Sequence, residues 1–170
     1  MKHLPFVLFV SLLALGCGPA GPDRETYAKE WKSIAEQYLA VGQQHLTEPL
    51  LVWRGLSRDQ VLQKVSEMVM KDAADFDPLI SRAKALRPPK GLEAHKSVLV
   101  DILEGTARTT REFGEAVKTG SKEKRDAAGE RQDRFLLSSM DRLIKVSTDL
   151  GMDALFLKEQ RSKLAGSRRG

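Results

Sequence analysis

The sequence predicts an all-α protein: a four-helix up-down-up-down bundle with a kinked second helix, standing behind an apolar N-terminal leader and a short Gly/Pro tether. Three observations predict it. Apolar residues recur at helical spacing almost without interruption from Asp23 onward, no segment shows the alternation of a strand, and the periodic segments are joined by short links carrying Pro49, Pro88, Pro89, Gly91 and Gly120. The composition agrees, with 41% apolar and 30% charged residues in 170. That balance suits a single globular domain and excludes wholesale disorder and a polytopic membrane protein. A single cysteine excludes an internal disulfide framework and a thiolate metal cluster.

The first helix is expected over Asp23 to Leu46, with Asp23 as N-cap and Glu25 in the first turn. Its apolar stripe is Tyr27, Trp31, Ile34, Ala35, Tyr38, Leu39, Gly42 and His45. Pro49 forbids simple continuation. Ser57-Arg58-Asp59-Gln60 then reads as a capping box opening the second helix. That stripe runs from Val61 through Val65, Met68, Val69, Ala73, Phe76, Leu79 and Ala83 to Leu86, and Pro78 inside it predicts a kink or a restart after Asp77. The third helix is expected from Leu92 to Thr119 on Leu99, Ile102, Leu103, Thr106, Thr110, Phe113 and Val117, closed by Gly120. Ser121 caps a fourth helix, whose residues Leu136, Met140, Leu143, Ser147, Leu150, Ala154 and Leu157 alternate spacings of four and three. As one rod over 121–163 it would be about 65 Å long, against about 42 Å for the third helix.

Charge narrows the function classes. The formal net charge is +5, but residues 17–157 balance 22 basic against 22 acidic residues. The excess lies in Lys158, Arg161, Lys163, Arg168 and Arg169, near the C-terminus, against Glu159. A neutral body offers no electrostatic footprint for a phosphate backbone, so no nucleic-acid partner is expected. The basic residues are instead candidates for contact with an anionic surface, since a bundle of this topology brings both termini to one end. The competing reading is a solvated helix end.

Signatures of catalysis are absent: there is neither Gly-x-Ser-x-Gly nor His-Glu-x-x-His. The stretch 114–122 has five residues between its glycines and puts Ser121 before Lys122, so it is a helix boundary and not a phosphate loop. No metal site is expected either. No glutamate has a histidine three residues later, and His45 and His95 fall at opposite ends of helices running the same way, roughly 30 Å apart. A haem between His95 and a methionine of the fourth helix would make the chain similar to b-type four-helix cytochromes. Counted from the turn at Gly120, however, Met140 and Met152 miss the level of His95 by about 7–10 Å. No cofactor is therefore expected, although a ligand- or haem-carrying bundle stays as the alternative function. One link is unusually apolar: Leu50-Leu51-Val52-Trp53-Arg54-Gly55-Leu56. It either closes the end of the bundle or offers Leu51, Trp53 and Arg54 to a partner, residue types that include the usual interface anchors.

The leader carries the most specific signal. Lys2 and His3 precede an apolar run over 4–15, whose twelve residues cover only about 18 Å as a helix, too short for a span of the ~30 Å hydrocarbon core. The run ends Leu13-Ala14-Leu15-Gly16-Cys17. This resembles the lipobox of bacterial lipoproteins, in which a peptidase cuts before the cysteine and the new N-terminal residue is acylated. The resemblance covers the leader alone. It implies a signal peptide over 1–16, lipidation at Cys17, and a tether over 17–22 ahead of a bundle domain at 23–164 and a basic tail at 165–170. It further implies a place on the cell envelope, the outer membrane where the cell has two, because Gly18 and not Asp follows the cysteine. An ordinary secretory leader with an incidental Cys17 is the simpler alternative. With two or three acyl chains holding stably where one holds reversibly, the expected function is that of a non-catalytic, membrane-anchored lipoprotein. Its helical domain would bind a protein or an envelope polymer.

Overall fold

The computed structural model describes residues 23–44 and 55–166, and these are helical with no strand among them. Six helices follow one another: α1 (Arg24–Gln44), α2 (Arg58–Ala74), α3 (Asp77–Ala85), α4 (Glu93–Lys118), α5 (Lys122–Asp149) and α6 (Leu155–Gly166). The all-α expectation holds, but two of the four expected rods are each two helices.

The starts follow the capping chemistry of the sequence. Asp23 Oδ1 accepts from the Thr26 amide at 2.7 Å, and this hydrogen bond holds the Asp23 carboxyl below its ordinary range. The box at α2 is reciprocal: the Gln60 amide donates to Ser57 Oγ at 3.3 Å, and the Ser57 amide donates to Gln60 Oε1 at 2.8 Å. Ser121 Oγ caps α5 by accepting from the Lys124 amide at 3.3 Å. In place of a kinked second helix, α2 ends at Ala74 and α3 begins at Asp77, with Pro78 in its first turn. Proline is tolerated there because the first-turn amides have no helical acceptor. The helix restarts at Asp77 itself, one residue ahead of the expected restart after it.

The second departure is larger. The expected rod over 121–163 stops at Asp149. Gly151 takes a φ of +77°, its amide donates to Thr148 O at 2.9 Å, and the Met152 amide donates to Ser147 O at 2.8 Å. These two bonds make a Schellman ending. α6 then turns back along α5, and Arg161 binds Asp141 with both Nε and Nη2, the latter at 3.2 Å. The C-terminal arm thus leads away from the end where α1 begins.

The cross-helix contacts give the directions. Ser66 with Gly114, Asp77 with Arg111 and Lys84 with Glu104 set α2 and α3 antiparallel to α4. Gln132 with Thr110 and Arg142 with Asp101 do the same for α5. Trp31 with His95 and Tyr38 with Thr106 set α1 parallel to α4. α4 is the central element: Leu99, Ile102, Leu103 and Ala107 are fully buried among Tyr27, Trp31, Ile34, Phe76, Leu79, Met140 and Leu143. The main apolar cluster fills the end of the molecule where α1 begins. Towards the α4–α5 turn, Val69, Ala116, Val117 and Ala128 are buried outside that cluster. Gly105 lets α5 come close, since a Cβ there would lie 2.0 Å from Phe135 Cζ.

Candidate functional site

A groove of about 470 Å³ lies between α1 and the fold-back of α6. α1 supplies Trp31, Ala35 and Leu39 to its floor, while Met152, Phe156 and Leu157 close the other side. Lys32, Glu36 and Asp153 stand among the lining residues. Trp31, Ala35 and Leu39 belong to the stripe that helical spacing predicts; Ala40, which also lines the groove, does not. Helix α6 contributes differently. Leu157 is buried on the seam, but Leu155 and Phe156 lie off it and are 61% and 50% exposed. They are the exposed large apolar side chains among the described residues.

The floor continues into a polar corner. Trp31 Nε1 donates to the His95 carbonyl at 3.3 Å, and His95 Nε2 lies 3.7 Å from Asp149 Oδ2. Lys145 donates to the same carboxylate at 2.9 Å; this bond first, and His95 second, hold the Asp149 carboxyl below its ordinary range. Arg24 reaches across from α1 to donate to the Asp149 carbonyl at 2.7 Å. Tyr27 is buried beside this corner, and burial first, with the negative charge of Glu93 second, pushes its phenol up to about 12. The Tyr27 hydroxyl and His95 Nδ1 are buried with no hydrogen-bond partner among the described residues. The corner thus joins three helices through mostly exposed or half-buried charges.

A smaller cavity of about 140 Å³ lies further along α1, lined by Tyr38, Leu39, Phe76, Thr106, Met140 and Leu164 among others. Tyr38 Oη and Thr106 Oγ1 are 3.2 Å apart, and the Tyr38 and Phe76 rings meet at a centroid distance of 5.8 Å. Burial pushes the Tyr38 phenol up to about 12, and the Thr106 hydrogen bond opposes that shift. The hydroxyl pair is satisfied internally, so this cavity is a packing feature of the core.

Of the site residues expected from sequence, Lys158, Arg161 and Lys163 are described, and all three lie on α6. Cys17, Leu51, Trp53, Arg54, His45, Arg168 and Arg169 lie outside the described residues. Lys158 and Lys163 are exposed on α6, with no ion-pair partner among the described residues. Arg161 is different: its guanidinium is engaged by Asp141, and this pairing holds the Asp141 carboxyl below its ordinary range and the arginine above its own. His95 faces Asp149, and the methionine that lines the α1–α6 groove is Met152. Among the described residues, no group of three or more His, Cys, Asp or Glu side chains is placed to hold a metal ion. No described helix is long and apolar enough to cross a membrane.

Leu155 and Phe156 are the residues that pattern reading overlooks. In a continuous rod they would be two apolar side chains beside a seam already filled by Ala154 and Leu157. The signal was available in Gly151 and Asp153, a helix-ending glycine followed by an acidic residue whose Oδ1 accepts from the Leu155 amide at 2.9 Å. Compared with known protein families, curated proteins and solved structures, the chain matches none of them at a significant level.

Proposed function

We propose that the chain is a lipid-anchored protein of the bacterial cell envelope, outer-membrane where there are two membranes, whose helical domain works by binding a protein or envelope polymer and not by catalysis. The observation that carries this reading is Leu13-Ala14-Leu15-Gly16-Cys17 at the end of a short apolar leader, with the one cysteine of the chain at its last position. The body suits it: α1 begins at Arg24, seven residues after Cys17, so the domain is carried close to its anchor. In this reading α1, the α2–α3 arm, α4 and α5 form an up-down-up-down four-helix core, and α6 lies back along it. The antiparallel contacts of α4 with α3 and α5, and the parallel contacts of α1 with α4, support that arrangement.

The test is acyl labelling of the full chain and of Cys17→Ala in a bacterial host. The expected result is a palmitate-labelled band in the membrane fraction for the parent and an unlabelled band for the variant, either soluble or held by its uncleaved leader. Equal labelling of both, or a parent that carries no label, overturns the anchor.

A further inference from the structure

We infer that Leu155 and Phe156, at the turn where α6 folds back, form a second contact with the bilayer that lays the α1–α6 side of the domain against the membrane. The inference rests on the lipid anchor proposed above and adds an orientation to it. Exposed apolar residues scattered singly need no explanation. These two are adjacent in sequence and half or more exposed, and Phe156 also lines the apolar groove formed with Trp31, Leu39, Met152 and Leu157.

The occupant follows from reach. From Cys17 to Asp23 the chain can extend at most about 20 Å. The groove wall at Lys32 stands nine residues beyond Asp23, about 13 Å along α1. A bilayer holding the acyl chains of Cys17 therefore lies within range of the side of the domain that carries Phe156. Helical Cβ atoms tilt towards the N-terminus of their helix, so Leu155 and Phe156 lean out of the first turn of α6 and towards the end where α1 begins. The surrounding charges nearly cancel: Lys29 is paired with Glu25, Lys145 with Asp149, and Lys32 stands 3.7 Å from Glu36, while Lys158, exposed on α6 with no ion-pair partner among the described residues, is followed by the exposed Glu159. The contact is accordingly apolar, with the pair seated in the interfacial region of the membrane and little dependence on lipid charge.

The full acylated protein tests this. With Cys17 blocked by lipid, a cysteine introduced elsewhere is the free thiol of the chain, so Leu155→Cys can carry an environment-sensitive fluorophore. Lys64→Cys, exposed on α2, serves as the distant control. Both proteins are reconstituted into phosphatidylcholine vesicles containing brominated lipid. Because an interfacial side chain sits about 5–10 Å into the boundary, quenching at position 155 is expected to exceed that at 64 by about threefold, with or without phosphatidylglycerol. Equal quenching at the two positions, in protein whose mass shows acylated Cys17, overturns the second contact and leaves the anchor standing. Quenching that appears only with anionic lipid overturns its apolar nature. Shielding of position 155 from aqueous iodide without bilayer quenching overturns it in favour of a second copy of the chain. A mass showing Cys17 without lipid overturns the anchor and the contact together.

Discussion

The sharpest test of the packing is Gly105→Ala in α4. In an open helix surface this exchange raises stability by about 1 kcal/mol, because alanine loses less backbone entropy on folding than glycine. At Gly105 the added methyl would meet the Phe135 ring, with Cζ at 2.0 Å and both Cε atoms within 3 Å. The ring must swing off α4 or the two helices must part, and overpacking of that kind costs about 1–3 kcal/mol. The propensity gain offsets part of it, so the expected result is a net loss of about 1 kcal/mol, read as a fall in Tm of about 3 °C for a domain of this size. Gly129→Ala in α5 supplies the reference, because its methyl would lie 3.6 Å from Phe113 Cε2, an ordinary contact. That variant should gain about 0.5–1 kcal/mol. Phe135→Leu in the Gly105→Ala background should recover part of the loss, giving a coupling of about 1 kcal/mol in a double-mutant cycle by urea unfolding. Equal stabilisation by Gly105→Ala and Gly129→Ala would refute the close approach of α4 and α5, and with it the register that sets Arg142 beside Asp101.

Three further outcomes follow from the same geometry. Asp23, Asp141 and Asp149 carry depressed carboxyls, so their contribution to stability is complete above the ordinary value of 3.8 and is lost as pH falls through their lower folded values; thermal melts of the triple Asp→Asn variant should show a smaller acid decline than the parent, and parallel curves would contradict the pairings. Tyr27 and Tyr38, the two tyrosines of the chain, have phenols raised to about 12, so their burial stabilises fully below the unfolded value near 10 and is lost as pH rises through about 12. Tyrosinate absorbance should stay low in the folded protein at about pH 10.5 and be well developed in denaturant, whereas half-titration with helicity intact would place a tyrosine at the surface. Gly151→Ala should cost about 1 kcal/mol by forcing a side chain into a φ of +77°, and Gly151→Asn distinctly less; stabilisation by alanine would mean that α5 runs on instead of turning back.

Much of the fold was legible because burial and helix starts leave strong local marks. Tyr27, Trp31, Ile34, Tyr38 and Leu39 are all buried on α1 as their spacing predicts, and Ser57 and Ser121 cap the helices they precede. Periodicity failed at the helix ends, for a physical reason. Leu150, Ala154 and Leu157 are buried in the folded-back arrangement, as they would be in a straight seam, so the apolar spacing is the same for both. What separates them is a single backbone conformation at Gly151, whose cost depends on one missing Cβ and leaves no trace in hydropathy. The break between α2 and α3 behaves likewise: Ala73, Phe76, Leu79 and Ala83 keep one buried stripe across the interruption at Asp75 and Phe76, so pattern alone could place the disturbance beside Pro78 but not decide between a kink and a full break.

The candidate site was less legible than the fold because it is made by that same turn. The floor of the groove, Trp31, Ala35 and Leu39, was visible as a core stripe, whereas Phe156, which lines its other side, and its exposed neighbour Leu155 gained their place only when α6 reversed. The reversal also changes what the basic C-terminal residues can do. In a straight fourth helix Arg161 would stand twenty residues beyond Asp141, some 30 Å along the rod. Folded back, it spends its charge on that carboxylate, and the helix carrying Lys163 leads away from the end where α1 begins. With Arg161 paired to Asp141, Lys158 and Lys163 exposed on α6, and Arg168 and Arg169 outside the described residues, a contact through the cationic tail and one through the apolar turn both stand as proposals. The two accounts then predict opposite responses to salt: a cationic tail would let go of anionic vesicles as ionic strength rises, while Leu155 and Phe156 would hold.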